Sequence, residues 1–151
     1  VRVLAIDPGG NTGLALWNDG AWWAWAEPAE QALVTVHNAL NDGDLNQLVS
    51  ESFIISTATA KKSQDGLVSI EMIGVMRYLS RVYNVPFETQ TPSDAKSFAT
   101  DEKLKAWKWW TRGVDHPRDA SRHLMTWLCK HGYIDLTELR HRLDSASGGA
   151  S

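Results

Sequence analysis

The sequence predicts an α/β fold: a mixed five-stranded sheet, three antiparallel strands followed by parallel ones, with helices on both faces. Three observations carry this prediction. The chain opens on short apolar runs, two of which meet at Asn18-Asp19-Gly20. Asp-Gly supplies the positive φ that a tight hairpin needs. Beyond Pro28 the apolar spacing changes from the period of a strand to that of a helix. Two later apolar runs, at 45–53 and 85–89, each follow a helical segment. They reach the sheet through crossovers, which makes them parallel.

The elements follow in order. Residues 1–7 form a short buried strand, 13–17 a second and 21–27 a third. On the third, Trp22 faces one way and Trp23 and Trp25 the other, where both are expected in the core. Pro28 stands where a helix starts, and Ala32, Leu33, Val36 and Leu40 follow at helical spacing as far as Asn41-Asp42-Gly43. Residues 45–53 are the fourth strand and 56–66 a polar loop. The helix expected at 67–83 is apolar nearly all round, so it must be covered on more than one side. Residues 85–89 are the fifth strand. Thr91-Pro92 caps a further helix, His116–Gly132 is another, and 135–143 the last. Trp107 and Trp110 are read on a helix, interleaved with Lys105 and Lys108. Packing against the fold is the expected role of the tryptophans, with stacking on unpaired bases as the alternative. Residues 1–143 are expected to form a single domain and 144–151 a flexible tail.

Composition bounds the function. Hydrophobic content of 43% and charged content of 22% describe an ordinary globular chain. No apolar run approaches the roughly 20 residues of a membrane helix, so no membrane partner is expected. The first strand carries Arg2 and ends on an acid, unlike a signal peptide, and a cytoplasmic location is expected. Cys129 is the only cysteine, which excludes an internal disulfide and a cysteine zinc cage and suggests a buried thiol. Net charge is −3, with −6 in residues 1–60, +1 in 61–100 and +2 in 101–151. The second half is therefore the more basic.

A carboxylate at the end of a buried strand costs desolvation energy unless a cation compensates it. Asp7 is such an acid, at the end of VRVLAID, and Glu51 is another, late in the fourth strand. In HPRDASRHL, residues 116–124, His116 and Asp119 stand three apart and share one helix face. Ala120 is small enough to let that turn approach the sheet. Oxygen ligands with one imidazole suit Mg²⁺ or Mn²⁺. Each signal also has a plainer reading, as a turn acid, an exposed edge residue or a helix N-terminal acid. His123, His131 and His141 are expected at the surface or in caps.

Taken with their order, these pieces resemble the RuvC-like Holliday junction resolvases of the RNase H-like nuclease superfamily, which occur in bacteria and bacteriophages. The resemblance rests on IDPGGNTGLALW at 6–17, VSESF at 49–53, TPSDAK at 91–96, DEK at 101–103 and HPRDA at 116–120. It implies an RNase H-like fold and a nuclease of the bacterial or phage-infected cytoplasm. It implies that Asp7, Glu51 and Asp119 hold metal, with His116 where most members carry Asp, and two Mg²⁺ or Mn²⁺ ions per active site. Lys96 and Lys103 fall near the family's DNA-contacting positions, and Lys61 and Lys62 lie in the loop that approaches the junction. The implied activity is metal-dependent cleavage of four-way DNA junctions by phosphodiester hydrolysis, without an organic cofactor. A two-fold dimer suits symmetric cutting, and helix 67–83 is the expected dimer element. The rivals are another RNase H-like nuclease acting on branched DNA, flaps or RNA, a non-catalytic DNA-binding module, and an actin-like nucleotide-binding domain. The last needs two lobes, and 151 residues hold one.

Overall fold

The computed structural model describes residues 1–53, 63–113 and 115–148. Its elements are β1 (Arg2–Asp7), β2 (Asn11–Asn18), β3 (Ala21–Pro28), α1 (Ala29–Asn41), β4 (Gln47–Glu51), α2 (Ser63–Val82), β5 (Phe87–Gln90), α3 (Pro92–Phe98), α4 (Asp101–Ala106), α5 (Asp115–Lys130) and α6 (Leu136–Gly148). The five strands lie in the order β3-β2-β1-β4-β5. β1, β2 and β3 pair antiparallel, while β4 and β5 join parallel to β1. This is the expected mixed sheet.

Local chemistry accounts for the joints. Asp19 and Gly20 both have positive φ, which matches the twist of a two-residue hairpin turn. Thr91 accepts a hydrogen bond from the Asp94 amide, and Pro92 follows in the first turn of α3. Gly132, at φ +76°, ends α5.

Each face of the sheet carries its own core. On one side α5 packs with Val3, Ala5, Ala15, Val49, Leu124 and Leu128. On the other, α1 and α2 bury Leu4, Ile6, Leu14, Leu48, Val36 and Met76. Helices therefore cover both faces, as predicted. Cys129 is buried on the α5 side, and burial pushes its thiol up to about 11, which keeps it protonated and unreactive at neutral pH.

Several expectations need correction. Four helices follow β5 rather than three, because Thr100 caps a separate α4 and ends the first helix early. α2 begins at Ser63, inside the segment predicted as loop. α6 runs on to Gly148 where a tail was expected to start at 144; residues 149–151 lie outside the described residues. Its Glu138–Arg142 ion pair at 2.7 Å is an i, i+4 helix-supporting contact. Trp107 and Trp110 are not on a helix, since α4 stops at Ala106. The segment instead folds Trp109 onto the sheet, stacked on Trp22 at 5.3 Å and tilted against Trp17 at 5.6 Å. Trp110 is flanked by Lys105 and Arg118, and Trp107 is covered by Arg142. Their ring faces are occupied by cations of the same chain. Trp25 packs in the α1–α2 core, but Trp23 is 50% exposed on the edge strand.

Among the described residues α2 keeps an uncovered apolar side. Leu67, Ile70, Val75, Tyr78 and Val82 are exposed, while Met72, Ile73 and Met76 are buried. Among the described residues no helix is long and apolar enough to cross a membrane.

Candidate active site

Alternation along the strands decides which acids reach α5. Val3 and Ala5 of β1 face the α5 core, and Leu4 and Ile6 face the other, so Asp7 projects toward α5. In β4, Val49 is on the α5 side and Leu48 opposite, which puts Glu51 on the same face as Asp7. Ile6 pairs with Ser50, and Glu51 pairs with Gln90. The ends of three neighbouring strands thus lie level beneath the start of α5.

Gly13 lets α5 come down onto them. It pairs with Asp7 across β1 and β2. A methyl group there would stand 2.0 Å from the carbonyl oxygen of His116 and 2.2 Å from its carbonyl carbon. Only a residue without Cβ admits the first turn of α5 at this distance. Ala120 is fully buried at the same contact surface, as its size predicted. On the far side, the Ser69 hydroxyl of α2 donates to the Pro8 carbonyl at 2.7 Å and steadies the turn after Asp7.

Of the four predicted acid and imidazole positions, His116 touches Asp7, and Glu51 and Asp119 are near enough for their charges to act on Asp7. His116 Nδ1 stands 3.0 Å from Asp7 Oδ2. One turn along α5, Asp119 accepts from Arg122 Nε at 3.2 Å and meets Lys96 Nζ at 3.3 Å. Asp7 is 7% exposed. Its carboxyl is pushed up to about 6, first by burial and then by the Glu51 carboxylate with a smaller part from Asp119, against the lowering effect of its hydrogen bond and charge interaction with His116. Such a carboxyl is short of positive charge at neutral pH.

Of the basic positions, Lys96 lies at the site, beside Asp119. Lys103 turns inward: its Nζ donates to the Phe98 carbonyl and lies 4.2 Å from the centre of the Phe98 ring. Lys61 and Lys62 lie outside the described residues.

His123 is the correction at this site. It was expected at the surface, yet it is 1% exposed. Its Nε2 stands 3.0 Å from Glu51 Oε2 and its Nδ1 3.1 Å from Gln90 Oε1. A signal was present, because His116, Asp119 and His123 fall at i, i+3 and i+7 on one stripe of α5. Arg122, also unforeseen, is buried and ties Asp119 to Asp101 and the Ala99 carbonyl. His131 and His141 are exposed as expected.

Among the described residues no three His, Cys, Asp or Glu side chains are placed to hold one metal ion as they stand. In kind, three carboxylates and an imidazole fit a hard divalent cation. The undercompensated Asp7 is where its charge would be drawn most strongly.

No protein-family model and no curated protein sequence matches the chain. Solved structures do. A Thermus thermophilus RuvC in complex with Holliday junction substrate superposes with a TM-score of 0.62 at 14% identity, covering 87% of this chain and 96% of that one. A second Thermus thermophilus RuvC structure gives 0.56 at 16% identity, with 87% and 97% covered. The yeast mitochondrial Holliday junction resolvase Ydc2 gives 0.53 at 14% identity, with 95% and 80% covered. The chain therefore has the RNase H-like fold of the RuvC Holliday junction resolvases.

Proposed function

We propose that the chain is a divalent-metal-dependent endonuclease that cleaves four-way DNA junctions. The observation that carries this reading is the approach of His116 and Asp119, in the first turns of α5, to Asp7 and Glu51 at adjacent strand ends of a resolvase fold. Two carboxylates, Glu51 and Asp119, crowded around the buried Asp7 favour a cation over a substrate anion.

Phosphodiester hydrolysis needs an activated water, neutral phosphoryl oxygens and a stabilised leaving oxygen, and two divalent ions bound here would supply these. Asp7, reaching from the middle of the sheet, would hold them together with Glu51, His116 and Asp119. Gly13 and Ala120 set the height of α5 above the strand ends. Arg122 holds Asp119 from the buried side. Lys96 Nζ is on an exposed side chain, free to exchange its carboxylate partner for a DNA phosphate.

Symmetric cutting calls for two active sites. The exposed apolar side of α2 would serve as the contact with a second copy of the chain in a two-fold dimer.

The deciding assay offers purified protein a four-way junction, a flap and an RNA–DNA hybrid, each with Mg²⁺ and with Mn²⁺. Paired nicks at symmetric positions of the junction are the expected result. Cleavage confined to the RNA strand of the hybrid would transfer the reading to a ribonuclease, and binding without cleavage in either metal would end it.

A further inference from the structure

His123 and Gln90 form a buried bridge behind Glu51. The imidazole spans from Gln90 at the end of β5 to Glu51 at the end of β4, with 3.1 Å and 3.0 Å contacts. A neutral imidazole has one N–H and one lone pair. Glu51 is an acceptor only, so the ring proton belongs on Nε2. Gln90 Nε2 is buried and has no hydrogen-bond partner among the described residues. Turning that amide half a revolution aims its N–H at Nδ1 and completes the bridge in the direction Gln90 to His123 to Glu51.

We propose that His123 is a positioning residue: its Nε2–H holds one oxygen of Glu51 and leaves the other turned toward Asp7, where the divalent ion would bind. This rests on the nuclease reading above. Glu51 is partly exposed and would otherwise sample several rotamers. The bridge selects one of them without reaching solvent itself. Partners of this kind behind a metal ligand are commonly worth 10–100-fold in metal affinity.

Three variants separate a hydrogen bond from mere packing. A Gln amide reaches about as far as Nε2, an Asn amide only as far as Nδ1, and Leu fills the space with no donor. Mn²⁺ affinity is measured by calorimetry on the full chain without DNA. His123→Leu and His123→Asn are expected to weaken Mn²⁺ about 10–100-fold, while His123→Gln recovers most of the loss. Junction affinity in EDTA is expected to stay at the wild-type value in all three. In metal-free wild type, long-range proton–nitrogen correlation of the His123 ring is expected to show Nε2 protonated, with a shift change in Glu51→Gln. If wild type binds Mn²⁺ and His123→Leu binds it equally well, or if Gln fails where Leu fails, His123 does not position Glu51. An unprotonated Nε2 in the metal-free ring overturns the proposal as well. If wild type neither binds Mn²⁺ nor cleaves, the nuclease reading falls instead, and the ring spectrum alone decides whether His123 holds Glu51.

Discussion

Asp7→Asn is expected to abolish cleavage and, at the same time, to stabilise the metal-free protein. Asp7 ordinarily titrates near 3.8 but is held at about 6 in the fold, first by burial and then by the Glu51 carboxylate. The folded state therefore binds this proton more tightly than the unfolded chain does. Between those two values the unfolded chain carries fewer protons at this group, so stability falls as pH rises through the window. Above it, the ionised Asp7 costs the fold about 3 kcal/mol, at roughly 1.36 kcal/mol per pKa unit. Asn cannot ionise and keeps an oxygen that can accept from His116. At pH 7 in EDTA the variant should melt above wild type by about 6–12 °C, taking roughly 2–4 °C per kcal/mol for a chain of this size. Near pH 4 the two should converge. Mn²⁺ should reverse the order once it reaches about 1,000 times its dissociation constant, where it adds about 4.1 kcal/mol to the state that binds it, and only wild type should gain fully. Thermal unfolding by circular dichroism at several pH values, with EDTA and with Mn²⁺, tests all of this. An Asp7→Asn protein less stable than wild type at pH 7 in EDTA would show that Asp7 is a structural acid and would remove the reason for placing a cation beside it.

Gly13→Ala should cost about 1–3 kcal/mol by overpacking and should lower cleavage far more than its stability loss explains, because the new methyl displaces the His116 backbone; urea denaturation and turnover measured together check this. Trp109→Ala should destabilise by about 3–5 kcal/mol through loss of the stack on Trp22 and Trp17, while junction affinity measured below the variant's melting point stays at the wild-type value. A drop in affinity there would return the tryptophans to a DNA-stacking role. Ile70→Glu, on the exposed side of α2, should yield a folded monomer by sedimentation, with junctions nicked on single strands rather than cut in pairs. Wild type sedimenting as a monomer at micromolar concentration would exclude the α2 dimer.

What could be read in advance was whatever depended on short-range pattern. Asp7 and Glu51 end short buried strand runs, and the Asp-Gly turn and Thr91-Pro92 cap are local chemistry. His116 and Asp119 needed only helical spacing. The misreadings lie where the deciding neighbour is remote in sequence. His123 looks like any helical histidine until Glu51 and Gln90, from two separate strands, are placed against it. Strand parity assigned Trp22 and Trp23 to opposite faces correctly, but not that β3 is an edge strand, which leaves Trp23 half exposed. WKWW has helical composition, yet burying Trp109 against Trp17 and Trp22 draws the segment away from a helix, and Lys108 adopts a positive φ to do so. Lys103 was read by its charge, whereas its position beside Phe98 turns it inward.

The level ends of β1 and β4 work as a ruler whose gauge is the backbone ladder. Neighbouring strands lie about 4.8 Å apart whatever side chains they carry, and Asp7 and Glu51 each stand one residue beyond the paired Ile6 and Ser50. Their spacing is therefore inherited from the hydrogen bonds of the sheet and cannot be adjusted without breaking the core. The α5 side has no such gauge. Its height rests on one absent methyl at Gly13 and its donors on helical turns. Over evolutionary time the geometry of such a site can be retuned far more readily from the helix than from the strands, with the strand acids as the fixed jaw and α5 as the movable one.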